Sequence, residues 1–193
     1  MAHVVMYVLR LTAIPSMETY LSDSALKSIS IQKSDQQRLR STRSTSYTSV
    51  FLSHSHHDRE LVEGLVAKLA RQGISVYVDW KDASLPSSPT RTTVETIKEQ
   101  IATNDVFMLL ASDRALESKW VPWELGVADK SKGYERIVVV PVTRNGSFRG
   151  SEYINVYRQI KEVGSGLQIF GAGGSGAGQA AGPFLSRKAR IYG

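Results

Sequence analysis

The run SVFLSHSHHDRELVEGLVAKLARQGISVYVD, residues 49–79, contains the unit from which the fold is read. Its opening SVFLS is short and apolar, with β-branched and aromatic side chains of the kind strands favour. Behind it, Leu61, Val62, Leu65, Val66 and Leu69 recur at three- and four-residue intervals, so they line one side of a helix. Gly73 stands where a C-terminal cap is expected, and ISVYVD (74–79) begins a second strand at once. Strand, helix, strand in this compass is the unit that joins two parallel strands.

The alternation continues downstream. The loop WKDASLPSSPTRT (80–92) carries two prolines and leads into a helix whose apolar positions Val94, Ile97 and Ile101 keep helical spacing. VFMLLAS (106–112) is apolar at nearly every residue, as a strand covered on both faces is. SKWVPWELGVAD (118–129) reads as a helix, IVVVPV (137–142) as a fourth strand, SEYINVYRQIKEV (151–163) as a helix and LQIF (167–170) as a fifth strand. Alternating units of this size predict an α/β fold, a parallel sheet with helices on both faces. Ligands of such sheets bind beyond the C-terminal ends of the strands. That directs attention to the residues from His54, from Asp79 and Trp80, and from Ser112 onward.

The segments on either side are less regular. Residues 1–45 are expected to form a partly ordered N-terminal extension. Its run HVVMYVLRLTAI (3–14) is read as an extra strand or short packed element, being interrupted by Arg10 and far too short to span a bilayer. Residues 21–46 read as a loose helix or linker, 46–170 as the folded domain, and 171–193 as a flexible, Gly-rich, basic tail.

The 193 residues suit one domain with tails, and the absence of cysteine excludes disulfides, thiolate nucleophiles and Cys-ligated zinc, which fits a cytoplasmic protein. The net charge of +6 is unevenly spread. Residues 46–145 hold 12 Lys+Arg against 13 Asp+Glu and the flanks 12 against 5, so the basic excess lies outside the domain. A nucleic-acid partner is therefore not expected, since a reader carries its positive charge on the folded recognition face.

Two motifs point elsewhere and fail. SHSHHD matches the H-x-H-x-D ligand spacing of metallo-β-lactamases through His54, His56 and Asp58, but the remaining histidines are His57 beside them and His3. No distant imidazole remains to complete a zinc site, and none is expected. GAGGSG (171–176) has the G-x-G-x-x-G spacing, yet no Asp or Glu follows Glu162 to hold a ribose.

The stretch that keeps its chemical interest is SKWVPWELGVAD. Pro122 fixes the helix start near Lys119, because proline is tolerated where its missing N–H would be unpaired. Glu124 then lies within the first two turns, near the positive end of the helix dipole, and shares a face with Trp120 and Val127.

SYTSVFLSHSHHD resembles the first strand of Toll/interleukin-1 receptor (TIR) domains. ISVYVD resembles their second strand, residues 80–92 their BB loop, and W-x-x-x-E from Trp120 to Glu124 the motif of their NAD-cleaving branch. The resemblance implies a five-stranded, flavodoxin-like parallel sheet. It implies cleavage of the nicotinamide–ribose bond of NAD, by a glycohydrolase or ADP-ribose cyclase, in bacterial antiviral immune signalling. NAD is then the substrate, and neither cofactor nor metal is needed. Glu124 takes the role of the carboxylate that stabilises an oxocarbenium-like ribose or holds its hydroxyls. Trp120 or Trp80 packs against a flat ring of the substrate, and Ser53, His54, Ser55 and Asp79 line the pocket. Where many NAD-cleaving relatives have an arginine after the first strand, this chain has Ser55, His56 and His57, which leaves the phosphates to Arg59, Arg91 or backbone N–H groups. The BB loop has LPSSP in place of the usual glycine turn. Self-association and a downstream effector that senses the nucleotide product are the implied protein partners. The alternative is a non-catalytic TIR adaptor that acts by self-association alone.

Overall fold

The computed structural model describes residues 17–29, 48–72, 90–148, 150 and 152–185. The strand or short packed element expected at 3–14, the strand expected at 74–79, the 80–89 part of the BB loop, and with them Asp79 and Trp80, lie outside the described residues.

The central sheet runs in the order β3 (Val50–Ser53), β4 (Val106–Ala111), β5 (Ile137–Thr143), β6 (Arg158–Val163), β7 (Gly166–Ala172) and β8 (Gln179–Ala180). From β3 to β6 neighbouring strands are parallel, and β6, β7 and β8 pair antiparallel. The expected α/β fold with a parallel sheet between helices is what the chain adopts, and the sheet has more strands than the five expected, the additional ones pairing antiparallel at its edge. Every residue of β3, β4 and β5 is buried, because helices cover both faces. On one face, Val50 and Leu52 of β3, Met108 and Leu110 of β4, and Val138 and Val140 of β5 pack on α1 (Asp23–Ser28) and α2 (Arg59–Arg71). On the other, Phe51, Phe107, Leu109 and Val139 pack on α3 (Arg91–Thr103) and α5 (Trp120–Lys132). This strict alternation is the period of two that a strand imposes.

The helices follow their apolar spacing. The expected stripe Leu61, Val62, Leu65, Val66 and Leu69 is buried along α2. α3 buries Ile97 and Ile101, and its first turn is closed by the Thr90 hydroxyl, which accepts the Thr93 N–H at 3.2 Å. The short helix α4 (Asp113–Leu116) follows β4 directly, its N-cap Ser112 accepting the Ala115 N–H at 3.0 Å.

Two segments differ from expectation. SEYINVYRQIKEV, read as one helix, is a 3₁₀ turn (Glu152–Val156) followed by strand β6. Its apolar residues Ile154, Tyr157, Ile160 and Val163 recur at threes, which suits a helix. Pairing with β7 along six registers overrides that local preference. Gly164 and Ser165 make the connecting two-residue hairpin turn, with φ positive only at Gly164. The Gly-rich run expected as a flexible tail instead completes β7, turns at Gly173 and Gly174, and returns as β8 and α6 (Ala181–Leu185). Ala181 and Leu185 are buried in the α2-side core.

The N-terminal extension contributes to the same sheet. β5 and β6 pair only at Val138–Arg158 and Val139–Gln159 and then part. Into the gap comes β1 (Glu18–Thr19), antiparallel to Glu162 and Val163 of β6; after Tyr20 the chain leaves as β2 (Leu21–Ser22), parallel to Val142 and Thr143 of β5. Leu21 and Leu26 are 1% exposed, and burying each is worth about 1.5–3 kcal/mol.

Candidate active site

The site lies at the C-terminal end of β3. Period-two alternation puts Phe51 and Ser53 on the side that α5 covers, and Phe51 is held there by stacking on Phe107 at 5.6 Å between ring centroids. Helix α5 begins where Pro122 requires: Lys119 is the N-cap, Trp120 the first helical residue, and Pro122 falls in the first turn, where its missing N–H costs no bond. The Trp120 N–H is taken up by the Ser118 hydroxyl at 3.2 Å. From that start, helical spacing brings Val121, Glu124, Leu125 and Ala128 onto the buried stripe. Glu124 is therefore an acid on the apolar side of its helix, only 7% exposed.

What receives it is Ser53, itself 2% exposed, whose hydroxyl donates to Glu124 Oε2 at 2.5 Å. A buried carboxylate costs several kcal/mol unless paired, and a hydrogen bond to a charged group returns about 1.5–3. Trp120 and Trp123 are half-buried beside it, their rings meeting edge to face with centroids 5.4 Å apart. Trp120 and Val127, expected on the Glu124 face, flank the buried stripe instead of lying in it.

The remaining expected residues divide. His54 is half-buried at the end of β3 and its Nδ1 lies 2.9 Å from the Leu52 carbonyl oxygen. Ser55 is buried, and its hydroxyl caps the 3₁₀ turn His56–Asp58 by accepting the His57 N–H at 3.4 Å. His56 and His57 are exposed and lie against each other, with centroids 3.7 Å apart. Arg59 and Arg91, two candidates for phosphate contact, are exposed and pair along their own helices with Glu63 at 3.0 Å and Glu95 at 2.9 Å. Among the described residues, no group of three His, Asp or Glu side chains could hold a metal ion.

One contact at this edge was not anticipated. Asp58 is buried and accepts from the Ser112 hydroxyl, while Arg114 donates to the His57 carbonyl oxygen at 2.8 Å. Asp58 thus ties the start of α2 to the end of β4 instead of capping its own helix, whose first turn has no side-chain cap bond from it. The sequence signal was a Ser at the end of β4 and an Asp in the turn beyond the end of the neighbouring strand β3.

A model of the TIR domain matches residues 50–166, more than half of the chain. The chain belongs to the TIR-domain family. Two curated relatives of this TIR protein are similar over part of their length. The probable 3' cyclic ADP-D-ribose synthase ThsB' of Bacillus cereus (strain MSX-D12) is 32% identical over 116 residues, 58% of this chain and 59% of that protein. The putative cyclic ADP-D-ribose synthase TIR2 of Cytobacillus dafuensis is 30% identical over 82 residues, 39% of this chain and 21% of that one. The TIR protein therefore matches about three fifths of the first relative and a fifth of the second. Among its described residues, no helix is long and apolar enough to cross a membrane.

Proposed function

We propose that this TIR protein cleaves the nicotinamide–ribose bond of NAD, as a glycohydrolase or as a cyclase that returns a cyclic ADP-ribose. The observation that carries the proposal is Glu124, a carboxylate buried at the C-terminal strand edge and oriented by the Ser53 hydroxyl at 2.5 Å. The names of the two relatives, both cyclic ADP-ribose synthases, support the same reading.

The reaction accounts for the residue types. Nicotinamide leaves a cationic pyridinium as a neutral molecule, taking the electron pair of the C–N bond, so no acid is needed to protonate it. Positive charge moves onto the ribose, and a fixed carboxylate in a dry site stabilises that charge best when it need not reorient. Ser53 supplies the fixing. Trp120 offers a flat surface for one ring of the dinucleotide. Asp79, Trp80 and Ser55 complete the pocket by resemblance, and the protein works in the cytoplasm, through self-association, in an immune response to phage whose effector reads the nucleotide product.

The test is incubation of the concentrated protein with NAD, following nicotinamide and the adenine-containing product by chromatography, beside Glu124→Gln. Removing one such electrostatic group lowers turnover by about 10²–10³. Nicotinamide release in the wild type with loss in the folded variant supports the reading. A wild-type protein that releases none, at any concentration, favours the non-catalytic adaptor.

A further inference from the structure

We propose that His54 is the general base that takes the proton from the oxygen nucleophile, an inference that rests on the NAD-cleaving reading above. A carbonyl oxygen can only accept, so the 2.9 Å contact between His54 Nδ1 and the Leu52 carbonyl places the ring hydrogen on Nδ1. In the neutral ring the lone pair is then on Nε2. Among the described residues the ring makes no other hydrogen bond or ion pair, and it is half-buried at the strand end, one residue after Ser53, whose hydroxyl donates to Glu124.

The chemistry has two halves with different needs. Loss of nicotinamide moves no proton. Capture of the ribose does: an O–H of water or of a sugar hydroxyl attacks the anomeric carbon, the new C–O bond forms as the O–H bond breaks, and the proton must go to a base. Glu124 serves the developing cation only while it stays charged, and a proton on it would cancel the attraction. His54 Nε2 accepts that proton instead. The resulting imidazolium keeps its Nδ1–H on the Leu52 carbonyl, an interaction that strengthens when the ring is charged. His56 and His57 are exposed and lie against each other with tilted rings, which leaves His54 as the histidine of this run in a sheltered position.

The two halves separate experimentally because nicotinamide can return. Exchange of isotopically labelled nicotinamide into NAD makes and breaks only the C–N bond and needs no base, whereas ADP-ribose formation, linear or cyclic, needs one. His54→Asn keeps an N–H that can donate to the Leu52 carbonyl but cannot take up a proton; His54→Gln provides a second geometry should the first variant fold poorly. The expected result is a loss of about 100-fold in product formation, within the range typical of general-base removal, with label exchange largely retained. Exchange and product formation falling in equal proportion would make His54 a positioning residue and overturn the proposal, as would unchanged product formation. A wild-type chain that neither releases nor exchanges nicotinamide removes the NAD reading, and the base with it.

Discussion

Glu124 occupies a position that an apolar residue would fill at less cost, and the Ser53 hydroxyl is one partner that helps make the acid tolerable. Removing only the serine hydroxyl tests how much that partnership matters. The bond is worth about 1.5–3 kcal/mol, so Ser53→Ala is expected to lower nicotinamide release roughly 10- to 100-fold if the hydroxyl holds the carboxylate for the ribose, while Ser53→Thr, which keeps a hydroxyl, loses far less. Equal rates for all three proteins would leave the bond without a part in turnover. Both residues were legible in the sequence, Glu124 from its place after Pro122 and Ser53 through the resemblance of the first strand. Their meeting was not, because it depends on how α5 docks across β3. Alternation from Phe51 was the available signal: it assigns Ser53 to one face, but not which helix covers that face. Ser55 shows the opposite limit. Named for the pocket, it gives its hydroxyl oxygen to a turn that residue spacing alone does not reveal.

Strands and helices were most readable where one pattern dominated, the helical stripe of α2 and the unbroken apolar run of β4, and least where a partner decided the outcome, as in β6. VGSG at 163–166 was the missed hairpin signal, a Gly-Ser pair between two apolar runs. Helix packing makes two further outcomes predictable. A Cβ at Gly64 of α2 would sit 2.1 Å from the Leu26 carbonyl oxygen of α1, backbone that cannot swing aside. Gly64→Ala should therefore cost about 1–3 kcal/mol in urea unfolding despite the better helix propensity of alanine. Gly126 of α5 has nothing within 4 Å, and Gly126→Ala should stabilise by about 0.4–1 kcal/mol. A third concerns Tyr157, which leads into β6. Burial, then the nearby Asp129 of α5, pushes its hydroxyl up to about 12 from 10.0. The folded chain therefore holds this proton more tightly than the unfolded one, so its contribution is complete below pH 10 and lost as pH rises from 10 to 12. Burial lowers Lys132 from 10.5, so that residue acts in the opposite sense and adds stability as pH approaches 10.5. Urea midpoints above pH 10 should fall more steeply for wild type than for Tyr157→Phe; parallel curves would count against the assignment.

The family match begins at residue 50 and ends at 166, yet the folded unit reaches beyond both limits. Residues 18–22 fill the gap where β5 and β6 part, and Lys161 of β6 joins the two ends, its ammonium 3.0 Å from Glu18 and 2.6 Å from the Gly174 carbonyl oxygen. Composition concealed this. Among the described residues of the N-terminal extension the buried core positions are Leu21 and Leu26, set among Ser, Thr, Asp and Lys, and the glycines after 170 read as a linker because their turn-forming use depends on a sheet edge for them to follow. If the family limits were also the folding limits, a chain shortened to 46–170 would be as stable as the whole. Such a chain instead opens the β5–β6 gap and strips Leu21, Leu26, Ala181 and Leu185 from the α2-side core. Losing a single buried leucine to alanine typically costs about 2–5 kcal/mol, and three leucines together approach the whole stability of a domain, about 5–15 kcal/mol. The 46–170 chain is expected to lose its cooperative thermal transition. Leu26→Ala in the full chain, which removes one side chain and leaves the strands paired, should keep the transition at a melting temperature lower by several degrees. A 46–170 chain that melts cooperatively at the wild-type temperature would show that the added strands decorate the sheet without supporting it.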